Sequence, residues 1–103
     1  MEIDVEQSDG RVRLLVSGIL DEKGAELLKS RLASINTGQV REVELECANV
    51  RHFGSSSIGK LLVFYKHFTS GGGKLKVSNL PSPIYEMFLE LKLDTLFPIG
   101  KSS

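Results

Sequence analysis

Ser55, Ser56 and Ser57 stand in a row, directly after Gly54 and beginning three residues after His52. Hydroxyls so placed suit one of two chemistries. A base can activate one as a nucleophile, or a kinase can place a phosphoryl group on one. The nucleophile elbow requires Gly-x-Ser-x-Gly, and Gly54-Ser55-Ser56-Ser57-Ile58 has Ile58 where the second glycine belongs. Of the chain's 2 histidines, His67 falls about 16 Å beyond Ser56 on a helix rising about 1.5 Å per residue, out of hydrogen-bond reach. His52 is nearer, yet no third group is visible to orient it. A catalytic serine is therefore not expected. A phosphoacceptor, or a plain helix cap, is.

The remaining motifs have plainer explanations. Gly71-Gly72-Gly73-Lys74 resembles a phosphate loop, but it leads from a helix into a strand and has Leu75 after the lysine. A true phosphate loop runs from strand to helix and continues with Ser or Thr. Cys47 falls on the apolar side of its strand, where a free cysteine is usually a small core residue. Glu42, Glu44 and Glu46 alternate along one strand and read as a solvated face. No catalytic set, metal site or cofactor is expected, and the chain reads as a non-enzyme.

The serines are positioned by the element they open. Ile58, Leu61, Leu62, Tyr65 and Phe68 form one apolar stripe of a helix from about Ser55 to Ser70. Serine is a strong helix starter, so one of the three is expected to cap it. The free N–H groups and the positive end of the helix dipole then face outward, which favours an anion, bound or attached to a serine.

Around this helix the chain alternates strand and helix patterns. Glu2 to Glu6 and Arg11 to Ser17 have strand alternation, and Ser8-Asp9-Gly10 between them makes an antiparallel hairpin. Gly18-Ile19-Leu20-Asp21 leaves the strand, with Asp21 the cap of a helix from about Glu22 to Ile35 striped by Ala25, Leu28, Leu32 and Ile35. Val40 to Cys47 and Lys74 to Ser78 are further strands. Pro81 and Pro83 suit the first turn of a third helix striped by Ile84, Met87, Phe88 and Leu91. Leu96-Phe97-Pro98-Ile99 is a candidate short edge strand, since its proline cannot serve a central one. Fully covered parallel strands are continuously apolar, whereas these alternate. The fold class is thus α/β: a mixed sheet of four to five strands with helices packed mainly on one face. The other face carries Glu and Asp from the first and third strands, Arg and Lys from the second and fourth.

At 103 residues the chain has room for one domain, placed at 1–100 with a loose tail at 101–103. Thirteen Lys+Arg balance 13 Asp+Glu, which argues against a nucleic-acid partner. No apolar run approaches a membrane span, and the acidic start is not a signal peptide, so a cytoplasmic protein is expected without direct membrane insertion. The 1 cysteine rules out an intramolecular disulfide.

The order of elements and the serine stretch together resemble the STAS domains, in particular the single-domain bacterial anti-sigma factor antagonists. The likeness covers nearly the whole chain. Gly18-Ile19-Leu20-Asp21 is similar to the family's Gly-x-Leu-Asp step into the first helix. His52-Phe53-Gly54-Ser55-Ser56-Ser57-Ile58-Gly59 is similar to the family's Phe-x-Asp-Ser-Ser-Gly-Leu-Gly. Gly54 stands where that motif has aspartate, and Ser57 where it has glycine. The resemblance implies a protein that binds an anti-sigma factor, itself a serine kinase, and is switched off by phosphorylation until a phosphatase restores it. It places the phosphate on Ser55, with Ser56 and Ser57 as alternates. Asp21, Gly54, Ser56, Ile58 and Gly59 are the partner-binding residues it implies, and a monomer or weak dimer is expected. Other family members imply a different role, a non-phosphorylated accessory subunit of a membrane transport complex.

Overall fold

The computed structural model describes residues 1–102. The hairpin forms as its turn chemistry dictates. β1 (Glu2–Ser8) and β2 (Arg11–Leu20) pair antiparallel from Glu2↔Ser17 to Ser8↔Arg11. Asp9 and Gly10 between them have φ of 33° and 80°. Positive φ at both central residues gives the turn a twist that matches the strands, and glycine adopts it without strain.

Every later strand joins in chain order. α1 (Glu22–Ala33) crosses to β3 (Glu42–Phe53), α2 (Ser55–Ser70) to β4 (Lys74–Leu80), and α3 (Ser82–Glu90) with a 3-10 turn (Leu93–Thr95) to β5 (Ile99–Lys101). The sheet order is β1-β2-β3-β4-β5, with β2 to β5 mutually parallel. Strand order never reverses, so right-handed crossovers bring all three helices to one face. Beneath them lie Val12, Leu14 and Val16 of β2, Val43, Leu45, Val50 and Phe53 of β3, and Leu75, Val77 and Leu80 of β4. Ile84 and Phe88 of α3 join this core, the Phe88 ring meeting Phe53 edge-on at 5.2 Å.

The other face is the expected ladder of alternating charge except at Glu46. That residue is 7% exposed and not solvated, its carboxylate accepting from Ala48 N–H and from the Asn79 amide, both at 3.0 Å. Arg11 pairs with Glu42 at 2.8 Å, and Arg13 reaches both Glu6 (3.5 Å) and Glu44 (3.6 Å). Lys76 closes on Glu44 from the far side at 3.7 Å. Such exposed pairs contribute about 0–1 kcal/mol each and chiefly keep this face wet. Cys47 is buried, as expected, and desolvation with the neighbouring Glu46 carboxylate raises its thiol well above the usual range.

Several boundaries differ from the alternation in the sequence. β2 continues through Gly18-Ile19-Leu20, and β3 runs on from Cys47 to Phe53. The cause is a pair of irregularities in β3 opposite β2, between Leu15 and Ser17 and between Gly18 and Ile19. There β3 inserts extra residues, so inward positions move from every second residue to Cys47, Val50 and Phe53. α1 stops at Ala33, where Ser34 caps it and donates from its hydroxyl to the Arg31 carbonyl at 2.6 Å. Ile35 lies beyond it.

The last strand is Ile99–Lys101, not Leu96–Ile99. Phe97 is drawn into the core instead, and the Pro98 carbonyl accepts from Val77 N–H at 3.0 Å. Lys101, expected in the tail, pairs with Leu80 in β5, while Ser103 lies outside the described residues. Pro81 is the cap of α3 and not in its first turn, and Leu91, at that helix's far end, is 52% exposed.

Candidate functional site

Because β2 and β3 are parallel neighbours with Leu20 opposite Phe53, the helices that follow them start side by side at one edge of the sheet. The pivot is the Leu20 carbonyl. It accepts from Gly54 N–H at 2.9 Å and from the Ser57 hydroxyl at 3.3 Å, tying the first turn of α2 to the end of β2. Asp21 is the next residue, so the structure brings Asp21, Gly54, Ser55 and Ser56 to the same edge.

The two helix starts are built differently. Asp21 caps α1, its Oδ1 accepting from Gly24 N–H at 2.9 Å. That backbone hydrogen bond is the main reason its carboxyl lies below its ordinary value of 3.8. Gly24 permits the geometry, since a Cβ there would stand 2.7 Å from the Ile19 carbonyl oxygen. The first turn of α1 is closed.

α2 has no such closure. Its cap is Gly54, which has no side chain to offer, so the expectation that a serine caps this helix is corrected. The serines are its first three helical residues. Their N–H groups find no acceptor among the described residues; Ile58 N–H is the first to do so, on the Gly54 carbonyl at 3.0 Å. The serines also divide by burial. Ser57 is 0% exposed and held by Leu20, whereas Ser55 and Ser56 are exposed and their hydroxyls make no intramolecular hydrogen bond among the described residues.

Two residues depart from their expected roles. Ile58, expected on a partner surface, is 8% exposed and part of the core. Its place in the apolar stripe with Leu61 and Phe68 turns it toward the sheet. His52 was considered above only as a base, but its ring lies beside the Gly54 backbone. A Cβ on residue 54 would stand 3.3 Å from His52 Nε2 and 3.0 Å from the Leu20 oxygen. His52 thus fills room that a side chain at 54 would enter. A large residue two places before a glycine is the one trace this leaves in the sequence. The Leu20 carbonyl, being backbone, leaves none. Gly59 is exposed on the outer side of α2, with nothing within 4 Å of an added Cβ.

The edge is a surface and not a cavity. A cavity of about 600 Å³ lies elsewhere, lined by Arg13, Glu44, Tyr65 and Phe97 among others and by none of Ser55, Ser56 and Ser57. Among the described residues no three His, Cys, Asp or Glu side chains cluster as metal ligands, and no helix is long and apolar enough to cross a membrane.

A closed helix start beside an open, serine-bearing one, on a five-stranded mixed sheet, can be set against known proteins. The family model described as "Mlab, STAS domain" matches residues 3–98. The chain belongs to the STAS domain family. An anti-sigma F factor antagonist of Paenibacillus polymyxa is 24% identical over 100 residues, covering 96% of this chain and 86% of that protein. The phosphorylated form of the Bacillus cell fate determinant SpoIIAA superposes with a TM-score of 0.76 at 17% identity, covering 95% of this chain and 90% of that one. A sulfate transporter family protein from Wolinella succinogenes gives a TM-score of 0.77 at 16% identity, covering 90% and 78%. At such identities the structural likenesses establish the fold of this STAS domain.

Proposed function

We propose that this STAS domain is an anti-sigma factor antagonist: a cytoplasmic, non-enzymatic protein that binds an anti-sigma factor with serine kinase activity through the start of α2. Phosphorylation of Ser55 ends the binding, and a serine phosphatase restores it. The observation that carries the reading is the state of the serines, two exposed with free hydroxyls and one locked under Leu20. A phosphate adds about −1.5 to −2 charges and three acceptor oxygens. On Ser55 it faces unpaired N–H groups and the positive helix end, so the fold tolerates it. A partner surface fitted to a hydroxyl does not, because burying an unpaired charge costs several kcal/mol. Asp21, Gly54, Ser56 and Gly59 belong to the contact surface in this reading, and Ile58 only supports it from below.

The test is mass spectrometry after incubation with the organism's anti-sigma-type kinases and ATP. Phosphate is expected on Ser55. Label on Ser56 would shift the register by one residue and leave the mechanism intact. Label on neither, while a kinase still binds, would sink the switch and favour a second reading. In that reading the domain is a constitutive accessory subunit of a membrane transport complex, as the likeness to the sulfate transporter family protein suggests.

A further inference from the structure

The chain is neutral as a whole but not along its length. No Asp or Glu stands between Glu46 and Glu86, so all 13 acidic residues lie outside the segment that holds α2. α2's outer face, about 22 Å long at about 1.5 Å per residue, is therefore free of acids on its own residues. Along its middle run Gly59, with nothing packed on it, and Val63, 61% exposed and the most exposed large apolar residue described. Lys60, Lys66 and His67 flank them, and His52 lies beside the cap. From α1, Glu26 meets Lys60 at 3.8 Å and Asp21 is engaged with Gly24. Lys66 has no carboxylate within salt-bridge distance among the described residues.

An apolar centre with a polar rim is the anatomy of a protein interface, and here α2 itself contributes lysines and no acid to the rim. We infer that α2's outer face docks a protein surface whose carboxylates flank an apolar contact. The inference rests on the proposed antagonist function and names the chemistry of its partner. It also accounts for Gly54: an aspartate there would place a negative charge at the head of a cationic strip. Phosphate on Ser55 does the same with up to two charges, so the modification opposes the attraction as well as the fit.

The test is association kinetics on each purified anti-sigma-type kinase of the organism, for the unmodified protein, for K66E/H67E and for protein phosphorylated on Ser55. Both substituted side chains are exposed, and a thermal melt checks that the variant folds. The unmodified protein should associate at least about tenfold more slowly in about 1 M salt than in about 0.01 M, where the screening length falls from about 30 to about 3 Å. K66E/H67E should lose about tenfold in association rate at low salt and little at high salt. Association indifferent to both salt and K66E/H67E, yet abolished by phosphorylation, overturns the inference and leaves the switch standing. Charge dependence without any effect of phosphorylation does the reverse. If no kinase binds in either salt, both fall. Binding of the protein to phosphatidylcholine–phosphatidylglycerol vesicles, lost in K66E/H67E, reassigns the strip to a membrane surface and overturns the proposal.

Discussion

The starts of α1 and α2 lie on the same edge of the same sheet and follow neighbouring strands, yet one is finished and the other is not. α1 has a carboxylate on the Gly24 N–H of its first turn and a glycine seated against β2. α2 has a cap without a side chain, and among the described residues its first three N–H groups and two hydroxyls have no hydrogen-bond partner. A carboxylate at Gly54 would be the ordinary remedy, worth about 0.5–2 kcal/mol over an alanine cap and only a few tenths over glycine. Its absence leaves this position available to a second molecule or to a phosphate. The difference separates a helix start completed by its own chain from one left open.

The sharpest way to break the closed end is Gly24→Ala. The added Cβ would meet backbone 2.7 Å away, not a side chain that can move. A loss of roughly 1–3 kcal/mol is expected by denaturant unfolding, as for other overpacked sites. Gly59→Ala is the control on α2. With nothing within 4 Å, it should stabilise the fold by up to about 1 kcal/mol through helix propensity alone. If Gly24→Ala were as harmless as Gly59→Ala, the tight seat of α1 on β2 would be wrong.

Asp21 gives that contrast a pH dependence. Its carboxyl is lower in the fold than its ordinary value of 3.8, chiefly through the Gly24 N–H. A lowered folded value means stabilisation fully present above the unfolded value and lost as pH falls through the folded one. Asp21→Ala should therefore lower Tm at neutral pH, with the gap to the parent protein closing below about pH 3.8. A gap that is constant into acid would mean that the carboxylate does not carry the cap.

Much of this architecture can be read from residue types. The charged ladder follows from Glu and Arg alternating with Val and Leu, the hairpin from Asp9-Gly10, and the α1 cap from Asp21 at the foot of an apolar stripe. Two physical effects hid the rest. In β3 the inserted residues interrupt the alternation, so Ala48 to Phe53 has no period that marks a strand. At α2 the three serines suggest a cap because serine is a good one, but the Leu20 carbonyl binds Gly54 and Ser57, which puts the cap on Gly54 and all three serines inside the helix. Ile58 shows that periodicity was the better guide: its stripe with Leu61 and Phe68 places it in the core, against its implied role at a partner surface.

A smaller effect separates the two ends through Gly54→Asp, which would copy the closure of α1. The new Cβ stands 3.0 Å from the Leu20 oxygen and 3.3 Å from His52 Nε2, so the ring must yield before the carboxylate can cap. Gly54→Asp should gain little by itself and more with His52→Ala, a coupling of about 0.5–3 kcal/mol in a double-mutant cycle. Strict additivity would show that His52 does not occupy that space.

The smallest expected change in stability is the one with the largest functional consequence. Ser55→Asp places a carboxylate on the first residue of α2, facing the unpaired N–H groups, where a negative charge is favourable by roughly 0.3–1 kcal/mol. Ser55 is exposed, its hydroxyl makes no hydrogen bond among the described residues and it is not the cap, so the substitution removes nothing the fold uses. Tm should hold or rise slightly while kinase binding weakens. Ser55→Ala should bind and escape regulation with little loss of stability, since Gly54 and not Ser55 ends the helix. Ser57→Ala is the counterpart on the buried side. It removes the hydroxyl from the Leu20 carbonyl, a cost of about 0.5–1.5 kcal/mol, and leaves phosphorylation of Ser55 unchanged. Aspartate carries one charge where phosphoserine carries up to two, so Ser55→Asp should bind more weakly than Ser55→Ala and more tightly than the phosphorylated protein. Equal binding by all three would show that the open end of α2 is not where the partner docks.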